Sequence, residues 1–217
     1  MGVIVSASIL GADLSQLETE IKRAQAAGAD MIHIDVMDGN FVDNLSFGMP
    51  VVGAIRKHTR LTFDVHLMVS KPQKQIEEFA RMGADMITFH LESNCDPDKT
   101  IDLIHQCGKK AGISIRPDTP AQQIYRYLDK LELVLLMAVE PGYGGQPLRE
   151  DVLDKIRTLR DYCDEQGHDI IISVDGGVND TTAPLCTKAG ANLLVMGTHL
   201  FGSEDMAKAI KRIRSLV

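Results

Sequence analysis

Residues 14–36 read LSQLETEIKRAQAAGADMIHIDV, and the order of patterns in this stretch decides the fold. Leu14, Leu17, Ile21 and Ala24 recur at spacings of 3, 4 and 3, which is the stripe of an amphipathic helix. Gly28 then stops the helix in a left-handed conformation, Ala29-Asp30 makes the turn, and Met31–Val36 is an apolar run of strand length. The same punctuation returns at Gly83-Ala84-Asp85 and Gly190-Ala191-Asn192. Gly28 and Gly83 lie 55 positions apart, about two helix–strand units.

Working outward, strands are expected at Val3–Ser8, Met31–Val36, Leu61–His66, Met86–His90, Ala111–Ile115, Leu133–Val139, Ile170–Val174 and Leu193–Met196. Amphipathic segments fall between them at Leu14–Ala27, Gln73–Arg81, Asp98–Cys107, Ala121–Leu128, Arg149–Glu165, Asp180–Lys188 and Ser203–Leu216. Strict alternation of this kind demands a parallel sheet. Eight units in 217 residues, about 27 each, are enough to close it into a (β/α)8 barrel. An open doubly wound sheet is the rival fold, but no GxGxxG follows the first strand. No linker interrupts the pattern, so residues 1–217 read as one domain.

Composition narrows the function. Apolar residues make up 44% and are evenly spread, which excludes a disordered chain. The net charge of −7 and the absence of any basic run argue against a nucleic-acid partner. Arg56-Lys57 and Lys109-Lys110, the densest basic pairs, read as solvated helix ends. Cys95, Cys107, Cys163 and Cys186 are widely spaced and read as reduced thiols. Residues 1–5 lack the pattern of a signal peptide, and no apolar run is long enough for a membrane span. A cytoplasmic protein with no membrane partner is expected.

In such a barrel, reactive groups sit at the carboxyl ends of the strands. Side chains alternate along a strand, so His33, Asp35 and Met37 share one face, as do Asp64, His66 and Met68. Asp175 ends the seventh strand. One histidine or aspartate at a strand end reads as a hydrogen-bonded core residue. His33, Asp35, His66 and Asp175 delivered from three strands read instead as ligands for a divalent ion such as zinc, iron(II), manganese or cobalt. Two carboxylates buried together without a cation would be costly. Asp64 reads as a partner that holds a metal-binding histidine.

Glycines supply a second pattern. Pro141-Gly142-Tyr143-Gly144-Gly145-Gln146, Gly176-Gly177 and Gly197-Thr198 follow the sixth, seventh and eighth strands. Backbone amides exposed there suit a phosphate without any basic patch. Met37, Met68 and Met137 at strand ends read either as core filler or as an apolar lining that keeps water from a reactive intermediate.

These residues resemble the ribulose-phosphate 3-epimerase family. The resemblance is carried by Ser8-Ile9-Leu10, His33–Val42, Asp64–Val69, Val139–Gln146 and Val174–Val178, and it runs from the first strand to the last helix. It implies a metal-dependent (β/α)8 barrel of the ribulose-phosphate-binding type, acting on a ketose phosphate in the pentose-phosphate pathway. It also implies that His33, Asp35, His66 and Asp175 bind one metal ion, with Asp35 and Asp175 as the acid/base pair. Ser8 and His66 would contact substrate, and Gly144, Gly145, Gly176, Gly177, Gly197 and Thr198 would hold the phosphate. A homo-oligomer is implied as well. Ala7, Asp43, Arg116 and Pro147-Leu148 depart from the family pattern, which leaves both a pentulose phosphate and a hexulose phosphate such as allulose 6-phosphate open.

The chemistry fits the residues in their own right. Inverting a hydroxyl-bearing carbon beside a ketone requires removing its proton and returning one to the opposite face. Two carboxyl groups can alternate as base and acid around an enediolate whose charge the metal stabilises. Rival readings are a metal-dependent hydrolase, whose usual histidine pair on the first strand is replaced here by Ser6 and Ser8, and a sugar-phosphate sensor without catalysis. An aldolase or decarboxylase would need a lysine at a strand end; the nearest, Lys71, lies in a loop and reads as a surface residue.

Overall fold

A computed structural model describes residues 2–217. Eight parallel strands form a closed barrel in sequence order: β1 Ile4–Ser8, β2 Met31–Met37, β3 Thr62–Met68, β4 Met86–His90, β5 Lys110–Ile115, β6 Leu133–Met137, β7 Ile171–Asp175 and β8 Leu193–Met196. β1 hydrogen-bonds to both β2 and β8, which closes the ring and leaves no free edge. The outer layer is α1 Leu17–Ala27, α2 Met49–Arg56, α3 Ile76–Arg81, α4 Pro97–Gln106, α5 Val152–Gln166, α6 Ala183–Ala189, α7 Thr198–Phe201 and α8 Met206–Leu216. No helix among the described residues is long and apolar enough to cross a membrane.

The strands read as continuous apolar runs because both faces are buried. Outward-facing Val5, Ile32, Ile34, Phe63, Val65 and Phe89 pack against the helices in one large core. Inside the barrel a separate cluster of Met31, Met86, Leu133, Leu135, Leu193 and Val195 fills the centre. Polar residues occupy the remaining inward positions, among them Ser6, Asp64, Thr88 and Ser173, all fully buried. Gly28, Gly83 and Gly190 have φ of 93°, 107° and 115°, so each takes the left-handed turn that feeds a strand.

Several boundaries differ from the sequence reading. The first helix begins at Leu17, not Leu14: Leu14–Gln16 is a 3-10 turn because the Asp13 carboxylate accepts from Ser15 N, and Leu14 is left 52% exposed. Ala121–Lys130, between β5 and β6, is a 3-10 helix and not an α-helix. Its buried residues Ala121, Ile124 and Tyr127 recur every third position, which is the 3-10 period. α2 fills a gap where no stripe was legible. Arg56 is no solvated helix end; its guanidinium lies 3.7 Å from the Phe63 ring centroid and donates to Thr59 O and Leu61 O.

Candidate metal centre and anion pocket

Alternation along β2 and β3 places Asp35 opposite His66 in register, with His33 one pleat deeper, opposite Asp64. β7 ends on Asp175, whose register partner on β6 is Met137. One nitrogen or oxygen from each of His33, Asp35, His66 and Asp175 falls within 4.8 Å of all the others. His33 Nε2 is 3.2 Å from Asp35 Oδ1 and 3.9 Å from Asp175 Oδ2, and His66 Nδ1 is 3.0 Å from Asp35 Oδ1. His33 and His66 are fully buried, Asp35 is 3% exposed, and the Asp175 side chain is 19% exposed at the mouth.

Hydrogen bonds orient these groups. His33 donates from Nδ1 to Asp64 Oδ2 at 2.9 Å, and Thr88 Oγ1 donates to Asp64 Oδ1 at 2.8 Å. Asp64 thus holds His33 with its Nε2 turned inward, the partner role read for it in the sequence. Ser8 Oγ donates to Asp35 Oδ2 at 2.7 Å, leaving Oδ1 to face the histidines.

The group as a whole is a buried set of acceptors that calls for positive charge. Burial opposes protonation of His33, but the Asp35 charge and the hydrogen bonds it donates to the two aspartates raise its pKa well above the usual histidine value. Burial and the neighbouring Asp35 charge push the Asp175 carboxyl up. Asp35 moves the other way: burial would raise it, but His33 and His66 outweigh that and hold it down. Two imidazoles and two carboxylates fit a borderline divalent cation such as zinc, which would relieve this demand.

The mouth beside the four residues is a cavity of about 360 Å³. Its lining includes Ser8, Met37, Met68 and Met137, and also Gly144, Gly145, Gly176, Gly177, Gly197 and Thr198. Met37 and Met68 pack together in one buried cluster with Val42, while Met137 belongs to the cluster inside the barrel. Gly177 has φ +66°, and a Cβ there would stand 2.2 Å from Leu148 N, so only glycine permits this approach of two loops. Ala7 is buried on the helix-facing side, and Asp43 and Pro147 are exposed; with Arg116, none of them lines the cavity.

Some residues escaped the sequence reading. His90 is fully buried and its Nε2 lies 2.9 Å from His66 Nε2. On its far side, His90 Nδ1 is 3.2 Å from Glu92 Oε2. The spacing His90–Glu92 at the end of β4 was the available signal. Gly11 was also missed: a Cβ there would sit 2.5 Å from Gly197 C, so it lets the turn after β1 and the loop after β8 meet. Asp38 is a loop brace, accepting from the amides of Asn40, Phe41 and Ser70.

Fold and site together define a (β/α)8 barrel whose mouth carries a histidine–aspartate group that could hold a metal ion, beside a glycine-lined cavity. The model of the ribulose-phosphate 3-epimerase family matches residues 4–201, and the chain belongs to that family. It is 49% identical to the ribulose-phosphate 3-epimerase of Bacillus subtilis, covering 97% of each chain. It is 46% identical to the Synechocystis enzyme of that name, over 98% of this chain and 94% of the other. The corresponding figures for Escherichia coli are 41%, 98% and 95%. Among solved structures, 3-hexulose-6-phosphate synthase superposes with a TM-score of 0.69 at 18% identity over the whole of both chains, a likeness of fold.

Proposed function

We propose that this protein is a metal-dependent epimerase that inverts carbon 3 of a ketose phosphate, interconverting ribulose 5-phosphate and xylulose 5-phosphate. The observation that carries the reading is the convergence of Asp35 and Asp175, from β2 and β7, with two histidines in one cluster beside the glycine-lined pocket. The family membership and the names of the relatives support it. The positions that depart from the family pattern lie outside the cavity lining, which favours the pentulose over a hexulose phosphate.

His33, Asp35, His66 and Asp175 would hold the ion. A divalent cation bound there supplies Lewis-acid stabilisation of negative charge developing on neighbouring oxygens. Backbone amides of Gly144, Gly145, Gly176, Gly177 and Gly197, with Thr198, bind the phosphate and orient the sugar. One of the two aspartates, as carboxylate, takes the proton from C3; the C–H electron pair moves onto the C2 carbonyl oxygen and leaves an enediolate. The other aspartate, as carboxylic acid, delivers its proton to the opposite face of C3. Their unequal surroundings, with Asp35 held by Ser8 and the histidines and Asp175 nearer the mouth, suit them to opposite protonation states. Met37, Met68 and Met137 keep water from the enediolate. The same reading places a homo-oligomer in the cytoplasm.

Proton NMR of the metal-loaded protein with ribulose 5-phosphate or allulose 6-phosphate in heavy water tests this. Xylulose 5-phosphate should form with deuterium at C3, and the hexulose should react far more slowly. No epimer from either sugar would refute the proposal.

A further inference from the structure

We propose that His90 and Glu92 are positioning residues that fix the tautomer of His66, so that its Nδ1 lone pair faces the metal centre. The inference rests on the metal-centre reading above and assigns a task to two residues outside the ligand set.

Glu92 is anchored at the barrel rim. Its Oε1 accepts from the Arg116 amide at 2.8 Å and from the Thr119 hydroxyl, which leaves Oε2 turned to His90 Nδ1 at 3.2 Å. His90 is clamped as well: its ring stacks on His66 at 5.0 Å between centroids and meets Phe41 at 4.7 Å. Phe41 is in turn covered by the Arg116 guanidinium at 4.5 Å. His90 therefore has little freedom to flip or swing away.

Proton placement then follows by elimination along the chain. A carboxylate only accepts, so His90 carries its hydrogen on Nδ1. His90 is fully buried and its carboxylate partner meets Nδ1, so the single proton of its imidazole sits there and Nε2 is a bare lone pair. That nitrogen lies 2.9 Å from His66 Nε2, a distance at which two lone pairs would repel. His66 must present N–H on Nε2. A ligating imidazole is neutral and carries one proton, so His66 Nδ1 is bare. Without the chain, Asp35 Oδ1, 3.0 Å from that Nδ1, would draw the proton there and close the nitrogen to a cation. On the other ligand, Asp64 does the same for His33 by a single step.

Zinc affinity by chelator competition, together with long-range 1H–15N correlation of the histidine rings in zinc-loaded protein, tests the assignment. Wild-type protein should bind one zinc with the His66 proton on Nε2. Glu92→Leu and His90→Phe should each weaken zinc binding by about 10- to 100-fold, the usual effect of losing such an outer partner. Glu92→Gln keeps an acceptor carbonyl and should restore affinity to within about threefold of wild type. A His66 proton on Nδ1 in the wild type, or variants that bind zinc as tightly as wild type, would overturn the inference alone. Wild-type protein that binds no zinc would remove the metal centre itself. The wild-type ring spectrum decides the matter even where a variant does not fold.

Discussion

Replacing Gly177 with alanine should damage the cavity proposed to hold the phosphate by displacing backbone, and its cost can be worked out by comparing three glycines of the lining. At Gly177 a Cβ would stand 2.2 Å from Leu148 N and 2.8 Å from Leu148 Cα, at φ +66°. The left-handed conformation costs a non-glycine residue about 1 kcal/mol. Moving a packed backbone segment adds about 2 kcal/mol. Gly145 has φ +77° but nothing within 4 Å, so alanine there incurs the conformational cost only. Gly144 lies outside the left-handed region and its Cβ would meet only Thr198 Oγ1 at 3.8 Å, ordinary contact. For a chain of this size 1 kcal/mol shifts the melting temperature by roughly 2–4 °C. Thermal melts should therefore show a fall of roughly 6–12 °C for Gly177→Ala, roughly 2–4 °C for Gly145→Ala, and about 1 °C or less for Gly144→Ala. The KM for the sugar phosphate should rise at least about tenfold in Gly177→Ala, equivalent to losing one good phosphate contact. If Gly177→Ala melts and binds like Gly144→Ala, the loops do not meet as described and the reasoning fails.

Other outcomes follow from the same coordinates. Stripping metal with a chelator should lower the melting temperature, since an ion at 100 times its Kd stabilises by about 2.7 kcal/mol, and added zinc should restore it. Arg56→Ala, which loses the stack on Phe63 and the bonds to Thr59 O and Leu61 O, should cost about 2 kcal/mol in denaturant unfolding. A value near zero would return Arg56 to the solvent. A thiol reagent at pH 8 should label only Cys95 and Cys107 in the native protein: Cys163 and Cys186 are buried, and burial pushes the Cys186 thiol up to about 12. Mass spectrometry showing rapid labelling of Cys186 would contradict this packing.

The barrel was legible because its evidence is local and redundant. Strands buried on both faces stand out as apolar runs, and Gly28, Gly83 and Gly190 mark the same turn at three places. His33, Asp35 and His66 were legible because a period of two assigns each to the inner face once the strand is recognised. His90 was not, although the same parity points it inward. Its meaning lies in a distance to His66 across two strands, which no single-strand pattern contains. Gly11 was invisible for a like reason, since its partner Gly197 is far along the chain. α2 was not legible and the 3-10 helix at Ala121–Lys130 was misread, because short segments take their form from packing and carry little propensity of their own.

The most direct test of the two-aspartate scheme compares wild type, Asp35→Asn and Asp175→Asn, each loaded with zinc, in heavy water. The C3 proton of ribulose 5-phosphate and of its epimer is followed by NMR from the first turnover. Wild-type product should carry deuterium at C3 while the remaining starting sugar stays protonated, and each variant should lose at least about 10²-fold in turnover with its fold intact. Product that retains the original hydrogen, or an asparagine variant that turns over near the wild-type rate, would contradict the claim that one aspartate takes the proton and the other returns it.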